Sequence, residues 1–264
     1  MRRVLMCPPT YFGIEYEINP WMSRGRKVDG ARAGRQWEEL FNLLRDQLGF
    51  SISLLEPRKG LPDLVFTANA GLVHGNTFVP SHFRHPERRE EAPVFRGWFE
   101  KEGYRIRPLP PDLCFEGEGD VLRLDDRLFA GYRIRSDIQS HEHISRELDM
   151  PVLSLELVDH RFYHLDTCFC PLAGDTAAYH PSAFDSYARK VIEKGVPRKI
   201  EVAPEEALRF ACNAVVAGRK AVLPAGSGKL KGQLAGLGYE VWETDLSEFI
   251  KAGGAAKCLV LFLD

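Results

Sequence analysis

Side chains able to do chemistry in this 264-residue sequence fall in short stretches far apart along the chain. "GGAAKC" sets Cys258 at the mouth of a final apolar run, Leu259 to Leu263, long enough for one buried strand and too short for a helix. "YHLDT" carries His164 and Asp166, "FEGEGD" carries Glu116 and Glu118, and "FTANAG" carries Asn69. A thiol, a histidine, an acid to orient it, and a carboxylate and an amide to hold a substrate are what a nucleophilic site requires. Each also has a plainer reading. A free cysteine is often a core residue, a lone histidine is usually structural, an asparagine can cap a turn, and acids can face solvent. The chemical reading needs a fold that gathers residues up to 189 positions apart.

The chain repeats one unit: a helical stretch, a short strand-like run, a loop and a hairpin. The hairpins are "ANAGLVHGNTFVP", "EGDVLRLDDRLFAG", "DTCFCPLAGDTAAYHP" and "CNAVVAGRKAVLP". Their turns lie near Gly75, Asp125, Gly174 and Gly218, spaced 50, 49 and 44 residues apart. Strand-like runs "SISLLEP", "RIRPLP", "VLSLEL" and "KIEVAP" precede them, and a fifth, "YEVWETD", precedes "KCLVLFLD". A strand-rich period of this length indicates a ring or an array. The fifth unit lacks the second strand of its hairpin, so the unpaired N-terminal "RRVLMC" is expected to supply it and close the ring. The expected fold is α/β: a five-bladed, pseudo-symmetric α/β propeller, with residues 1–264 as a single domain. An ordinary α/β sheet of loosely similar units is the alternative. In the propeller, the residues entering each hairpin share one face near the axis, which brings Asn69, Glu116, His164, Asp166 and Cys258 together.

Helices fill the gaps between strands. "SDIQSHEHISRELDM" is expected to start at a Ser136 or Asp137 cap, "APEEALRF" has Pro and acids in its first turn, and "PSAFDSYARKVIEKG" is expected to end with Gly195 as its C′ residue. "PAGSGKLKG" lacks the Gly and Ser/Thr of a phosphate-binding loop where Leu223 and Leu230 stand, and reads as a turn opening a basic helix. "SHEHIS" has Ser145 where a zinc-binding HExxH needs its second histidine, and reads as a solvated helix face. No Rossmann glycine pattern follows any strand.

Lys and Arg number 35 against 37 Asp and Glu, a formal net charge of −2. That balance gives no reason to expect nucleic acid or an anionic membrane as partner. No apolar stretch approaches the roughly 18 residues needed to span a bilayer. The N-terminus "MRRVLMCPPTYFG" has only a short apolar run and no signal-cleavage pattern, so a cytoplasmic location is expected. The six cysteines (Cys7, Cys114, Cys168, Cys170, Cys212, Cys258) are then read as reduced thiols. Cys168 and Cys170 would point the same way on a strand but lack the second ligand pair that zinc wants, so no metal is expected.

Together "PDLVFTANAG", "FEGEGD", "HLDT" and the late "GGAAKC", preceded by "EYEINPWM", resemble the guanidino-group-modifying enzymes. These are five-bladed α/β propellers, the pentein type, and include arginine deiminases, arginine dihydrolases, dimethylarginine dimethylaminohydrolases and amidinotransferases. The resemblance covers nearly the whole chain. It implies that Cys258 attacks the guanidino carbon, that His164 serves as acid and then base, and that Glu116 orients His164. Glu118 is the alternative acid, because the family often shows "EGGD" where this chain has "EGEGD". Asp166 would clamp the guanidinium. By the same resemblance Arg135, rather than Arg133, would bind the substrate's α-carboxylate with Arg88 as a second cation, Asn19 would contact the α-amino end, and Phe66 would pack on the aliphatic stem. No cofactor is implied. The partner would be a small guanidino amino acid, and a homo-oligomer is left open.

Position 69 bears on the reaction. The deiminases carry an aspartate there, in "FTRD", and two anions around the guanidinium favour a cation and release neutral citrulline. An amide both donates and accepts, so Asn69 can hold a guanidinium and then a neutral ureido group. That favours two hydrolyses on one cysteine, arginine to ornithine, carbon dioxide and two ammonia, as in the dihydrolases. A dimethylarginine dimethylaminohydrolase is the runner-up, and nothing marks the acceptor site of an amidinotransferase. The propeller also occurs in translation initiation factor 6, a ribosome-binding protein, but that alternative predicts no cysteine, histidine and acid at equivalent places.

Overall fold

The structure is a computed structural model that describes residues 2–263. Fifteen short strands are described: β1 (Arg3–Met6), β2 (Ser51–Leu54), β3 (Gly71–His74), β4 (Thr77–Pro80), β5 (Arg105–Ile106), β6 (Val121–Leu124), β7 (Arg127–Tyr132), β8 (Val152–Glu156), β9 (Phe169–Pro171), β10 (Thr176–Tyr179), β11 (Arg198–Glu201), β12 (Val215–Ala217), β13 (Lys220–Pro224), β14 (Glu240–Thr244) and β15 (Leu261–Phe262). Between them run α1 (Gly30–Asn42), α2 (Glu91–Lys101), α3 (Gln139–Leu148), α4 (Ser186–Gly195), α5 (Pro204–Ala207), α6 (Gly228–Gly236) and α7 (Ser247–Ile250). None of these helices is long and apolar enough to cross a membrane.

The strands form five three-stranded sheets with one plan: an antiparallel pair, then a third strand parallel to the second. β3, β6, β9 and β12 are the first strands of four hairpins, whose turns carry positive φ at Gly75, Asp125, Gly174 and Gly218. The fifth sheet is β15–β1–β2, in which Val4 pairs with Phe262 and Leu5 with Leu261. The N-terminal strand therefore supplies the missing hairpin partner and joins the two ends of the chain. Residues of β3, β6, β9, β12 and β15 line one axial cavity of about 670 Å3, so the five sheets surround an axis as blades of a propeller.

Each strand-like run belongs to the hairpin before it, not to the one it precedes. β5 pairs with β4, β8 with β7, β11 with β10 and β14 with β13, all in parallel. Parallel neighbours need a crossover, and the intervening helices α2, α3, α4 and α6 provide it. Apolar positions three, four or seven apart turn one helix face inward: Ala33 and Leu40 in α1, Phe95 and Phe99 in α2, Ala188 and Ile192 in α4, Leu230 and Leu234 in α6.

Three local expectations are corrected. α3 begins after Ile138 without a side-chain cap. Ser136 instead donates to Asp120 (2.6 Å), and the Asp137 carboxylate holds Arg84 and the Cys114 amide. Gly195 is the last helical residue of α4 and not a left-handed C′; a Cβ there would stand 2.9 Å from Leu153 Cδ1, so helix packing is what favours glycine. In "SHEHIS", His141 is buried, with Nδ1 2.8 Å from Ser154 Oγ, because it lies one turn from Ile144 and two from Leu148 on the inner face.

Thr67 ties the first blade to the closing pair. Its hydroxyl lies 2.9 Å from the Leu5 carbonyl and 3.0 Å from that of Leu259, all in fully buried surroundings. Thr67→Val keeps the shape but leaves buried carbonyls without that donor. Urea unfolding should show stability lower by about 1–3 kcal/mol; an unchanged midpoint and slope would show the hydroxyl to be dispensable.

Candidate active site

Just before each inner strand the chain makes a tight turn: Thr67–Ala70, Gly117–Gly119, Leu165–Thr167, then the segments ending at Asn213 and Cys258. Set in register as FTAN, FEGE, YHLD, FACN and GAAK, they place Asn69, Glu118, Asp166, Asn213 and Lys257 at one equivalent position. All five are buried. Two glycines make room. A Cβ on Gly119 would stand 2.3 Å from Asn69 Nδ2 and 3.1 Å from His164 Nδ1, and one on Gly254 would stand 2.4 Å from the Phe66 ring. Gly253 has φ +86°, which turns the backbone toward Cys258.

Cys258 is buried with Sγ between two partners. It lies 3.2 Å from Asp166 Oδ2 and receives Asn213 Nδ2 at 3.1 Å. Burial, then the Asp166 charge, push its thiol well above the ordinary value. Asp166 is fully buried; burial raises its carboxyl to about 6, opposed by Lys257 and by hydrogen bonds from Cys258 and Asn213. Its Oδ1 has no hydrogen-bond partner among the described residues.

His164 Nε2 lies 2.7 Å from Glu116 Oε2, and Arg135 Nη1 donates to the same oxygen at 2.9 Å. Burial alone would raise the Glu116 carboxyl, but Arg135 and the hydrogen bond from His164 hold it well below the carboxylate range. Burial brings His164 down to about 4 against the pull of Glu116, with Arg135 and Arg88 lowering it further, so its ring is neutral at pH 7. Of the two acids in "FEGEGD", Glu116 touches the histidine. Glu118 faces the other way and pairs with Lys257 at 2.8 Å, at the inner end of the axial cavity.

A small cavity collects the remaining residues: Cys258, Asn69, Arg88, Arg135, Asn19 and Phe66 all line it. It admits a water-sized centre over only about 10 Å3, room for about one water. Arg133 stays outside, exposed and paired with Glu156. Arg135 is buried beneath the Tyr163 ring face (4.6 Å) and gives one N–H to Glu116 and one to the Ile18 carbonyl, which leaves three of its five. Arg88 is nearly spent: Glu91 takes Nε and Nη2 at 2.8 and 2.7 Å, the Asp63 carbonyl a further N–H, and Asn69 Oδ1 accepts from Nη1 at 2.8 Å. Asn19 caps its own turn through the Trp21 and Met22 amides and donates to the Ala252 carbonyl.

Sequence reasoning missed Asn213, Asp63 and Tyr163. The register of the five turns would have picked out Asn213, whereas Asp63 and Tyr163 look like ordinary neighbours of a motif. Asp63 lines the cavity fully buried, and its Oδ1 makes no hydrogen bond of good geometry. Burial raises its carboxyl against the opposing charge of Arg88.

A family model described as N,N dimethylarginine dimethylhydrolase, eukaryotic, matches residues 9–263. The bifunctional arginine dihydrolase/ornithine cyclodeaminase of Nostoc sp. is 49% identical over 264 residues, covering 98% of this chain; the chain spans 37% of that relative's length. The N(G),N(G)-dimethylarginine dimethylaminohydrolase of Mycobacterium tuberculosis is 42% identical over 260 residues, 98% of this chain and 85% of its own. Among solved structures, the product-bound N-terminal domain of a cyanobacterial arginine dihydrolase superimposes with a TM-score of 0.96 at 47% identity, covering 100% of this chain and 97% of that one.

Burial depresses His164 most and Arg135 adds to it, so Arg135→Gln should move the His164 titration part of the way up from about 4, while Arg135→Lys should hold it down. Imidazole NMR across pH 3–8 reads this directly, and a titration unmoved by Arg135→Gln would remove Arg135 from the electrostatics of the site.

Proposed function

Since the chain belongs to the dimethylarginine dimethylhydrolase family of guanidino-modifying enzymes, we propose that it is a cysteine hydrolase of the L-arginine guanidino group, converting arginine and two waters to ornithine, carbon dioxide and two ammonia. This reading treats residues 1–264 as one domain acting on a small guanidino amino acid. Asp166 clamps the guanidinium through its unpartnered Oδ1. The cation then lies beside Sγ and favours the thiolate that burial and Asp166 otherwise disfavour. Cys258 attacks the guanidino carbon and a C–S bond forms. His164, backed by Glu116, takes the thiol proton and passes it to the departing nitrogen; the C–N bond breaks and ammonia leaves. His164 next takes a proton from water, the hydroxide adds, and the C–S bond breaks to give citrulline. A second round on the ureido carbon expels the second ammonia, and hydrolysis of the S-carbamoyl adduct leaves an N-carboxylate that loses carbon dioxide.

Arg135, with three N–H groups unused, suits the α-carboxylate, and Arg88 adds one more. The Asp63 carboxylate suits the α-ammonium end, with Asn19 beside it shaping the turn, and the Phe66 ring suits the aliphatic stem. The observation that carries the dihydrolase reading is the neutral side chain at position 69. Asn69 Oδ1 is held by Arg88, and Nδ2 makes only a 3.4 Å contact to the Glu116 carbonyl, so an N–H remains for a ureido oxygen. A buried carboxylate there would oppose a neutral second substrate. The family model and the Mycobacterium relative favour dimethylarginine as a second reading.

Purified protein with excess L-arginine should give ornithine and two ammonia per arginine, abolished in Cys258→Ser. Citrulline as the stable product would sink the second hydrolysis, and turnover of dimethylarginine alone would make the enzyme a dimethylargininase. The Asp166 carboxyl gains a proton as pH falls through about 6 and then no longer charges the clamp. kcat/KM should therefore fall about tenfold per pH unit below that value; a profile flat from pH 7 to 5 would contradict it.

A further inference from the structure

We propose that Asn213 is a catalytic residue of this site: its amide N–H stabilises the Cys258 thiolate, both when the sulfur attacks and when it departs. The inference deepens the guanidino-hydrolase reading and rests on it for the reaction, though not for the contact.

The argument begins with which end of the amide faces the sulfur. Asn213 Oδ1 accepts from the Cys258 backbone N–H at 3.2 Å, and Nδ2 donates to the Asp166 carbonyl at 3.0 Å. A backbone N–H can only donate and a carbonyl can only accept, so these two partners fix the orientation without reference to the sulfur. The second N–H of Nδ2 is the one aimed at Sγ, 3.1 Å away. Asn213 is completely buried.

Asn213 is also a side-chain donor placed on the sulfur. The other partner there, Asp166 Oδ2, is an acceptor that favours the thiol and opposes the thiolate. Lys257, next in sequence, has turned its ammonium to Glu118 and the Val260 carbonyl. Before substrate binds, a neutral donor thus opposes a carboxylate across one sulfur. When a guanidinium neutralises Asp166, the Asn213 N–H is already in line with the charge that forms, and it costs no rearrangement. Each hydrolysis ends with the C–S bond breaking and its electron pair returning to sulfur, where the same N–H receives it.

The test is thiol reactivity without substrate. The rate at which iodoacetamide alkylates Cys258 is followed against pH, with the modified peptide quantified by mass spectrometry to separate it from the other cysteines. Asn213→Ala should displace the profile to higher pH, with alkylation at a fixed pH slowed about tenfold or more. Asn213→Asp keeps the size and the acceptor for the Cys258 amide but replaces the donor, so it should shift the profile further while retaining the fold. kcat should fall in both with KM for arginine little changed. Alkylation profiles that superimpose on the wild type would overturn the proposal, even if activity fell, since that would leave Asn213 only a backbone strut. A protein that titrates as expected but leaves arginine untouched would instead refute the substrate reading and keep the contact.

Discussion

The pairing of β15 with β1 joins two ends of a chain more than 250 residues apart, and the site depends on it. Cys258 lies three residues before β15, so its position relative to the axis follows from that ladder. The Cys258 carbonyl accepts from the Ala68 amide, Thr67 reaches Leu5 and Leu259, and the nucleophile is thereby held from the first blade as well as the last. Contacts of such sequence separation are reached late, after much chain entropy has been lost. The cost is offset by full burial of Leu5, Leu259, Val260 and Leu261 around the seam.

Once the ring is closed, the blade entrances are buried, and most charges there are answered by another side chain. Glu116 is answered by Arg135 and His164, Glu118 by Lys257, and Arg88 by Glu91. Asp166 retains one oxygen without a partner and Asp63 one that meets only the buried Tyr16 hydroxyl in poor alignment, and both carboxyls are raised by burial. Those two residual acceptors are what an amino acid bearing two cationic groups can satisfy. Supporting contacts extend outward, since the Glu116 amide bonds Ser136, which in turn bonds Asp120, and Arg84 bridges the Arg135 carbonyl and Asp137. The residues expected to cap α3 were consumed by this shell.

The same division explains what could be read from sequence. The period, the hairpin turns and the closing N-terminal strand are local patterns of apolarity and punctuation, and they survive without knowledge of partners. Cys258, His164, Asp166 and Asn69 were expected together because equivalent turns of a repeat must share an end of the axis, whereas Arg135 and Arg88 came from the family resemblance alone. Which strand the run after each helix would join was not local: a crossover helix can return the chain to the sheet it left, and only pairing decides. The choice between Glu116 and Glu118 was equally hidden. Two residues of separation in a turn with Gly117 at φ +61° send the side chains to opposite sides, one to His164 and one to Lys257. Asn213 and Asp63 stayed unread because amides and acids beside apolar runs are common, and burial is what gives them meaning.

The resting site is chemically quiet for one reason. Burial favours the neutral form of each reacting group: a protonated thiol at Cys258 and an uncharged ring at His164. A low-dielectric pocket that holds a carboxylate beside a thiol cannot also hold a thiolate unless a cation accompanies it. On the proposed reading the guanidinium is that cation, and the substrate would complete the charge balance that makes the nucleophile. The constraint would also bear on the proposed second round, when the bound group is a neutral ureido and Lys257 alone remains to offset Asp166. Neutral donors then have to do what the guanidinium did. Two buried asparagines, Asn69 and Asn213, stand at equivalent turns with their oxygens already engaged, one by Arg88 and one by the Cys258 amide. Asn213 gives an N–H to Sγ and Asn69 keeps one N–H unengaged, and a pocket built on fixed dipoles is less dependent on the charge of what it holds than one built on a second carboxylate.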